Sequence, residues 1–275
     1  MRGIFNIQKK KILILCKTYP SPSRNHVETS CVAGVTEENQ FIRLFPIPFR
    51  LLSPSSQFKK WQWVELKCHK SDKDHRPESH SIDITSIKCI GKPIPSSNAW
   101  SERRKIISQL QKFQSFEEIE NNRKNHKNTL ALLTGIRLIK LEIQPAKTPY
   151  WTPEQEKTLR QAETRTDLFV TQERQLMNPL EKLPYDFYYH YVCEKTGKTF
   201  KHKIVDWEIG AAYRSWKKSY GDGWEIPFRK KFEEDFAQKD LMFLMGTMHR
   251  FPSQWLIISL IYPPKNKDDN LLLSC

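Results

Sequence analysis

The feature that most constrains this chain is the rhythm of its first 92 residues. Apolar, β-branched and aromatic residues come there in short runs: Lys11–Cys16, Cys31–Val35, Phe41–Phe45, Trp61–Cys68 and Ile82–Ile90. Clusters such as Pro20-Ser21-Pro22-Ser23 and Ser53-Pro54-Ser55-Ser56 separate them. Runs this short, bounded by residues that cannot continue a ladder, read as strands, and five of them predict a small barrel or a curled antiparallel sheet.

Pro93 and Pro95 end that pattern. From Ser101, with Glu102 beside it, Ile106, Ile107, Leu110 and Phe113 recur at helical spacing, and a shorter helix is expected over Ser115–Asn122. Thr129–Leu133 and Ile136–Ile143 return to strand character and are expected to close the first sheet. Between Gln144 and Pro184 lie five prolines and a polar stretch, Glu154–Gln175, suited at best to an exposed helix; this is the expected inter-domain connection. Strand Asp186–Cys193, strand Lys198–Val205, helices Asp206–Lys218 and Pro227–Gln238, and strands Leu241–Gly246 and Trp255–Tyr262 then form a ββααββ arrangement. The fold class is therefore α+β: an N-terminal β-rich small barrel or curled antiparallel sheet with inserted helices, plus a C-terminal ββααββ domain. The expected domains are 1–143, a proline-rich connection over 144–184, a small domain over 185–264 and a tail over 265–275.

No apolar run approaches the roughly 20 residues that a bilayer-spanning helix needs. Lys9-Lys10-Lys11 before a short apolar stretch superficially resembles a secretion signal, but the stretch is too short and no small-residue cleavage site follows. Six cysteines, scattered without a dense framework, read as reduced thiols, which predicts a cytosolic protein with no membrane insertion.

The formal net charge is +14. Residues 1–150 hold 26 Lys+Arg against 13 Asp+Glu, and residues 151–275 hold 19 against 18. A positive field attracts polyanions by releasing their condensed counterions, so nucleic acid is the first partner expected and an anionic membrane surface the second.

Strand alternation places Phe41, Arg43 and Phe45 on one face, and Trp61, Trp63, Glu65 and Lys67 on another. Flat rings stack on bases and cations hold phosphates, as in single-strand binders of barrel type. The candidate nucleic-acid contacts are Arg43, Arg50, Lys59, Lys60, Trp61, Trp63, Lys67, Lys70 and Arg76. The same rings would equally fill a small barrel core with the cations at its rim. The loop from His69 to His80 adds three imidazoles, Asp72, Asp74, Glu78 and Arg76, a set able to hold a metal or a phosphate, though its spacing matches no metal motif.

Glu65-x-Lys67 resembles part of the Glu-x-Lys core of restriction-type nucleases, in which carboxylates hold a divalent ion and a lysine serves the attacking water. That core also needs an acidic residue upstream, usually Asp. No Asp precedes Asp72, and Glu28, Glu37 and Glu38 are the only acidic residues before Glu65, so the resemblance is incomplete. His26-x-Glu28 begins a zinc-deaminase signature that no Pro-Cys-x-x-Cys completes. Gly-rich phosphate loops, Gly-x-Ser-x-Gly elbows and paired Cys-x-x-Cys are all missing from the sequence.

In the second half, Cys193 and His202 on adjoining strands, followed by Asp206 and Glu208 at a strand-to-helix junction, are the candidate metal ligands. Asp206, Glu208 and His202 are the candidate catalytic groups. Asp206 also suits a helix N-cap. His190 and His249 are possible further members, and Arg250 a possible phosphate contact. The leading expectation is a nucleic-acid-binding protein with a possible protein partner through its C-terminal domain. The alternatives are a nuclease-like enzyme using a divalent metal, and an RNA-gripping subunit of a ribonucleoprotein or defence-type assembly.

Overall fold

A computed structural model describes residues 6–164 and 179–265. The later part of the expected connecting helix and the tail from residue 266 lie outside the described residues. The chain forms two compact units that are discontinuous in sequence. The first comprises Met1–His75, Ser79–Pro93 and Ile143–Asp186; the second comprises Arg76–Glu78, Ile94–Glu142 and Phe187–Cys275.

In the first unit, β1 (Gln8–Lys17), β3 (Val27–Thr36), β4 (Phe41–Ile47), β6 (Ser79–Ile82) and β5 (Trp63–Lys70) pair in that order, and a β1–β5 ladder closes the barrel. β2 (Ser21–Ser23) adds to β3 and β7 (Lys88–Ile90) to β5. All pairs are antiparallel except β4–β6, which runs parallel. Ile12–Cys16 are all at 0% exposure, as expected of a central strand covered on both faces. Gly34 on β3 lets the β1 backbone approach closely, since an added Cβ there would lie 2.3 Å from the Leu13 carbonyl oxygen.

Two expected strands are shorter than their sequence runs. β5 starts at Trp63 because Trp61 has φ +65°, with its N–H donating to the Ile14 carbonyl (2.7 Å). The run Ile82–Ile90 is split by a 3-10 turn at Ile84–Ser86, where Asp83 Oδ1 accepts from the Thr85 N–H (3.1 Å) and hydroxyl (2.7 Å).

The second unit contains a seven-stranded sheet ordered β10 (Ile136–Pro145), β11 (Tyr185–Cys193), β12 (Thr199–Ile204), β14 (Trp255–Ile261), β13 (Met242–Thr247), β9 (Leu130–Leu133) and β8 (Lys112–Phe113). Its helices are α1 (Ser97–Gln109), α2 (Phe116–His126), α4 (Trp207–Tyr220) and α5 (Glu225–Arg229), the last running into a π turn at Lys230–Asp235; α3 (Pro153–Thr164) belongs to the first unit. Regular α1 backbone begins only after Trp100, because Asn98, Ala99 and Trp100 have positive φ. Ser115 caps α2 by accepting from the Glu118 N–H (3.2 Å), while Glu118 reaches back to the Gln114 N–H (2.9 Å). The ββααββ order is present as expected. β9 and β10, expected to close the first sheet, instead extend the second. Leu130–Leu133 are buried throughout and need neighbours on both sides, which β13 and β8 supply, while the barrel has already closed on itself.

Candidate nucleic-acid interface

The β1, β5 and β7 ladders assemble a basic face on the barrel. Across β1 and β5, Lys9 stands opposite Lys67, Lys11 opposite Glu65, and Leu13 opposite Trp63. Across β5 and β7, Glu65 stands opposite Lys88 and Trp63 opposite Ile90. Directly opposed residues share a face, so four lysines surround one carboxylate and one half-buried indole. Lys9 pairs with Glu65 at 2.8 Å; Lys11 pairs with Glu37 at 2.9 Å and stands 5.1 Å from the centre of the Trp63 ring. Lys67 and Lys88 are exposed and make no ion pair among the described residues. Two lysines directly opposite each other weaken a ladder, a cost that a bound anion reverses.

Only two of the nine expected contact residues stand on this face. Trp63 and Lys67 lie on it beside Glu65. Trp61 is 2% exposed and its ring belongs to the core; Arg43 is also 2% exposed, with its guanidinium 3.4 Å from the Ser79 hydroxyl. Neither can meet a phosphate backbone. Arg50 lies 3.5 Å from the buried Glu28 carboxylate, and Arg76 belongs to the second unit, where it donates to the Thr247 carbonyl. Lys59 and Lys70 are exposed and Lys60 is half-buried, away from the β1–β5–β7 ladder positions. Lys9, Lys11 and Lys88 join this face because β1 and β7 both pair with β5, neighbours that strand alternation does not specify.

Assigning charge to compact units also changes the picture. The first unit holds 21 Lys+Arg against 14 Asp+Glu and the second 24 against 17, a net of +7 in each. The excess counted in residues 1–150 is shared because residues 94–142 fold into the second unit.

The second candidate set does not converge. Tyr189 stands opposite His202, whereas the Cys193 N–H bonds the Lys198 carbonyl (3.0 Å) at the turn. Asp206 is the N-cap of α4: its Oδ1 accepts from the Glu208 N–H (2.9 Å) and its Oδ2 from the Leu260 N–H (3.1 Å), which ties the helix to β14. The Glu208 side chain is exposed, and burial pushes the Cys193 thiol up, away from the reactive thiolate. Among the described residues, no group of three or more His, Cys, Asp and Glu is placed to hold a metal ion. His190 bonds Glu142, which Lys201 also meets at 2.9 Å. The five described cysteines are free.

His202 sits in an aromatic pocket, with Nδ1 3.0 Å from the Tyr191 hydroxyl and its ring 4.6 Å from that of Phe116. Burial pushes its pKa down to about 4, against an upward pull from Glu120. In the unfolded chain it takes up a proton near 6.5, so stability is fully present above that pH and falls as pH drops from 6.5 towards 4. The urea midpoint of the wild type is expected to decline more steeply across this window than that of His202→Gln; parallel profiles would contradict this.

Residues 112–275 match the family model described as a domain of unknown function (DUF8757), and residues 8–109 match a second, described as a domain of unknown function (DUF8758). No curated protein matches the chain. Among the described residues, no helix is long and apolar enough to cross a membrane.

Proposed function

The chain belongs to the family described as a domain of unknown function (DUF8757), and from its side chains we propose that it binds nucleic acid, holding a phosphate backbone on the β1–β5–β7 face of the barrel. The observation that carries this reading is the lysine arrangement: Lys9 directly opposite Lys67, with Lys88 one strand further and two of the four lysines free of ion pairs among the described residues. Lysine ammonium groups hold phosphates as point charges without reading sequence. The partly open Trp63 ring beside them offers one surface on which a base can stack.

The test is fluorescence anisotropy with short single- and double-stranded DNA and RNA over a range of salt. Each phosphate contact removed lowers the slope of log affinity against log salt by about 0.7 for a single strand and 0.9 for a duplex. Lys67→Ala with Lys88→Ala is therefore expected to reduce the slope by about 1.4 to 1.8, with the far-ultraviolet circular dichroism unchanged because both side chains are exposed. An unchanged slope would move the contact elsewhere. Absence of binding to every polymer at low salt would end the reading.

A further inference from the structure

One carboxylate stands in the middle of the lysine face. Glu65 on β5 has Lys11 directly opposite on β1 and Lys88 directly opposite on β7, with Trp63 and Lys67 two residues before and after it. A surface that only holds phosphates gains nothing from a negative charge at its centre, because the carboxylate repels the groups that its neighbours attract. Nor is the carboxylate used up inside the protein. Lys9, itself 64% exposed, meets Oε1 at 2.8 Å, and Oε2 has no partner among the described residues. The Glu65 side chain keeps 29% of its surface open to solvent. Lys67 and Lys88 beside it are exposed and Trp63 is half-buried, so a ligand lying on this face reaches the carboxylate from solvent without entering the barrel.

A carboxylate is an acceptor-only group, two oxygens side by side with no proton to give. Its planar complement is a pair of adjacent donors. Guanine alone among the bases offers such a pair, N1–H next to the 2-amino group. Adenine and cytosine set an amino group beside an unprotonated ring nitrogen, and uracil and thymine set one N–H between two carbonyls. Each of these would turn an acceptor lone pair towards a carboxylate oxygen. The guanine donors lie on the Watson–Crick edge, which a duplex occupies and a single strand leaves open.

We propose that Glu65 reads guanine in single-stranded nucleic acid. Its two oxygens accept from N1–H and from the 2-amino group; Oε1 has lone pairs for both Lys9 and the base. The open part of the Trp63 ring supports the base, and Lys67 and Lys88 hold phosphates of the neighbouring nucleotides. This assignment rests on the reading of the β1–β5–β7 face as a phosphate-holding surface and adds to it the base and the strand state.

Fluorescence anisotropy of the full chain with short single strands tests it, using ribose strands of uridine and deoxyribose strands of thymidine that differ only in one central base. A central guanine is expected to bind about tenfold more tightly than hypoxanthine, which lacks only the 2-amino group, the effect of one hydrogen bond to a charged group. Adenine should fall at least as far behind. This comparison uses the wild type, so it does not depend on whether a variant folds. Glu65→Gln keeps the shape of the side chain but turns a donor towards the base. It is expected to weaken binding of the guanine strand about tenfold while leaving or raising the affinity for strands without guanine. If Glu65 served only as a counterion for the lysines, the same change would strengthen binding of every strand by one common factor. Equal binding of the guanine, hypoxanthine and adenine strands, or a uniform change in Glu65→Gln, would overturn the assignment. Salt-dependent binding without a preference for guanine removes this assignment alone, whereas no binding of any strand at low salt removes the parent reading with it.

Discussion

Gly34→Ala is expected to destabilise the barrel by about 3–5 kcal/mol, above the usual cost of overpacking. Gly34 stands opposite Ile14 on one side and Ile42 on the other, inside the closed sheet. An alanine Cβ would lie 2.3 Å from the Leu13 carbonyl oxygen and 2.8 Å from Ile12 Cγ2. The nearer obstacle is backbone, and it belongs to a strand whose residues Ile12–Cys16 are entirely buried. Relief would require separating β1 from β3, and β1 is also paired to β5. Urea unfolding followed by circular dichroism and tryptophan fluorescence measures the loss; a midpoint equal to wild type would show that the two strands can part at no cost.

The second large effect is expected at Glu78→Ala, a loss of about 3–5 kcal/mol from two buried amides left without an acceptor. Glu78 is 8% exposed; its Oε1 accepts from the Thr129 N–H (2.6 Å) and the Leu130 N–H (3.1 Å), and its Oε2 from the Thr129 hydroxyl (2.7 Å). Thr129 leads into β9 and Leu130 begins it, a strand with no exposed residue. Glu78→Gln keeps one oxygen for the two amides, and its amide nitrogen can donate to the Thr129 hydroxyl oxygen, so it should cost about 1 kcal/mol. The contrast between the two variants in the urea midpoint is the test. Equal losses would mean that charge, and not acceptor geometry, holds the strand.

Glu78 also shows where reading the sequence stops. In the chain it is one carboxylate in a polar loop with three histidines, and that composition suggested a metal or phosphate site. Folded, it is a surrogate acceptor for backbone, made necessary because β9 begins inside the second unit. Trp61 and Arg43 changed role for a related reason. Alternation assigns faces only while the backbone stays extended, and Trp61 lies in a turn with positive φ. Arg43 keeps its strand position, but Ile42, Arg43 and Leu44 are buried in succession, so that stretch of β4 has no solvent side to offer.

By itself the sequence determined the elements whose causes are local. Short apolar runs ended by proline and serine became β1, β3, β4 and β5; apolar residues at helical spacing became the regular part of α1; and Ser115 and Asp206 became caps, because a side-chain oxygen next to orphan amides acts within a few residues. The ββααββ order followed in the same way. The tertiary structure alone decided which strands meet. Lys9 finds Lys67, and Leu133 finds Phe243, across long stretches of chain, and a period-2 pattern specifies a face without specifying a neighbour. The basic face depends on the β1–β5 pairing, since charge becomes a surface only after those strands meet.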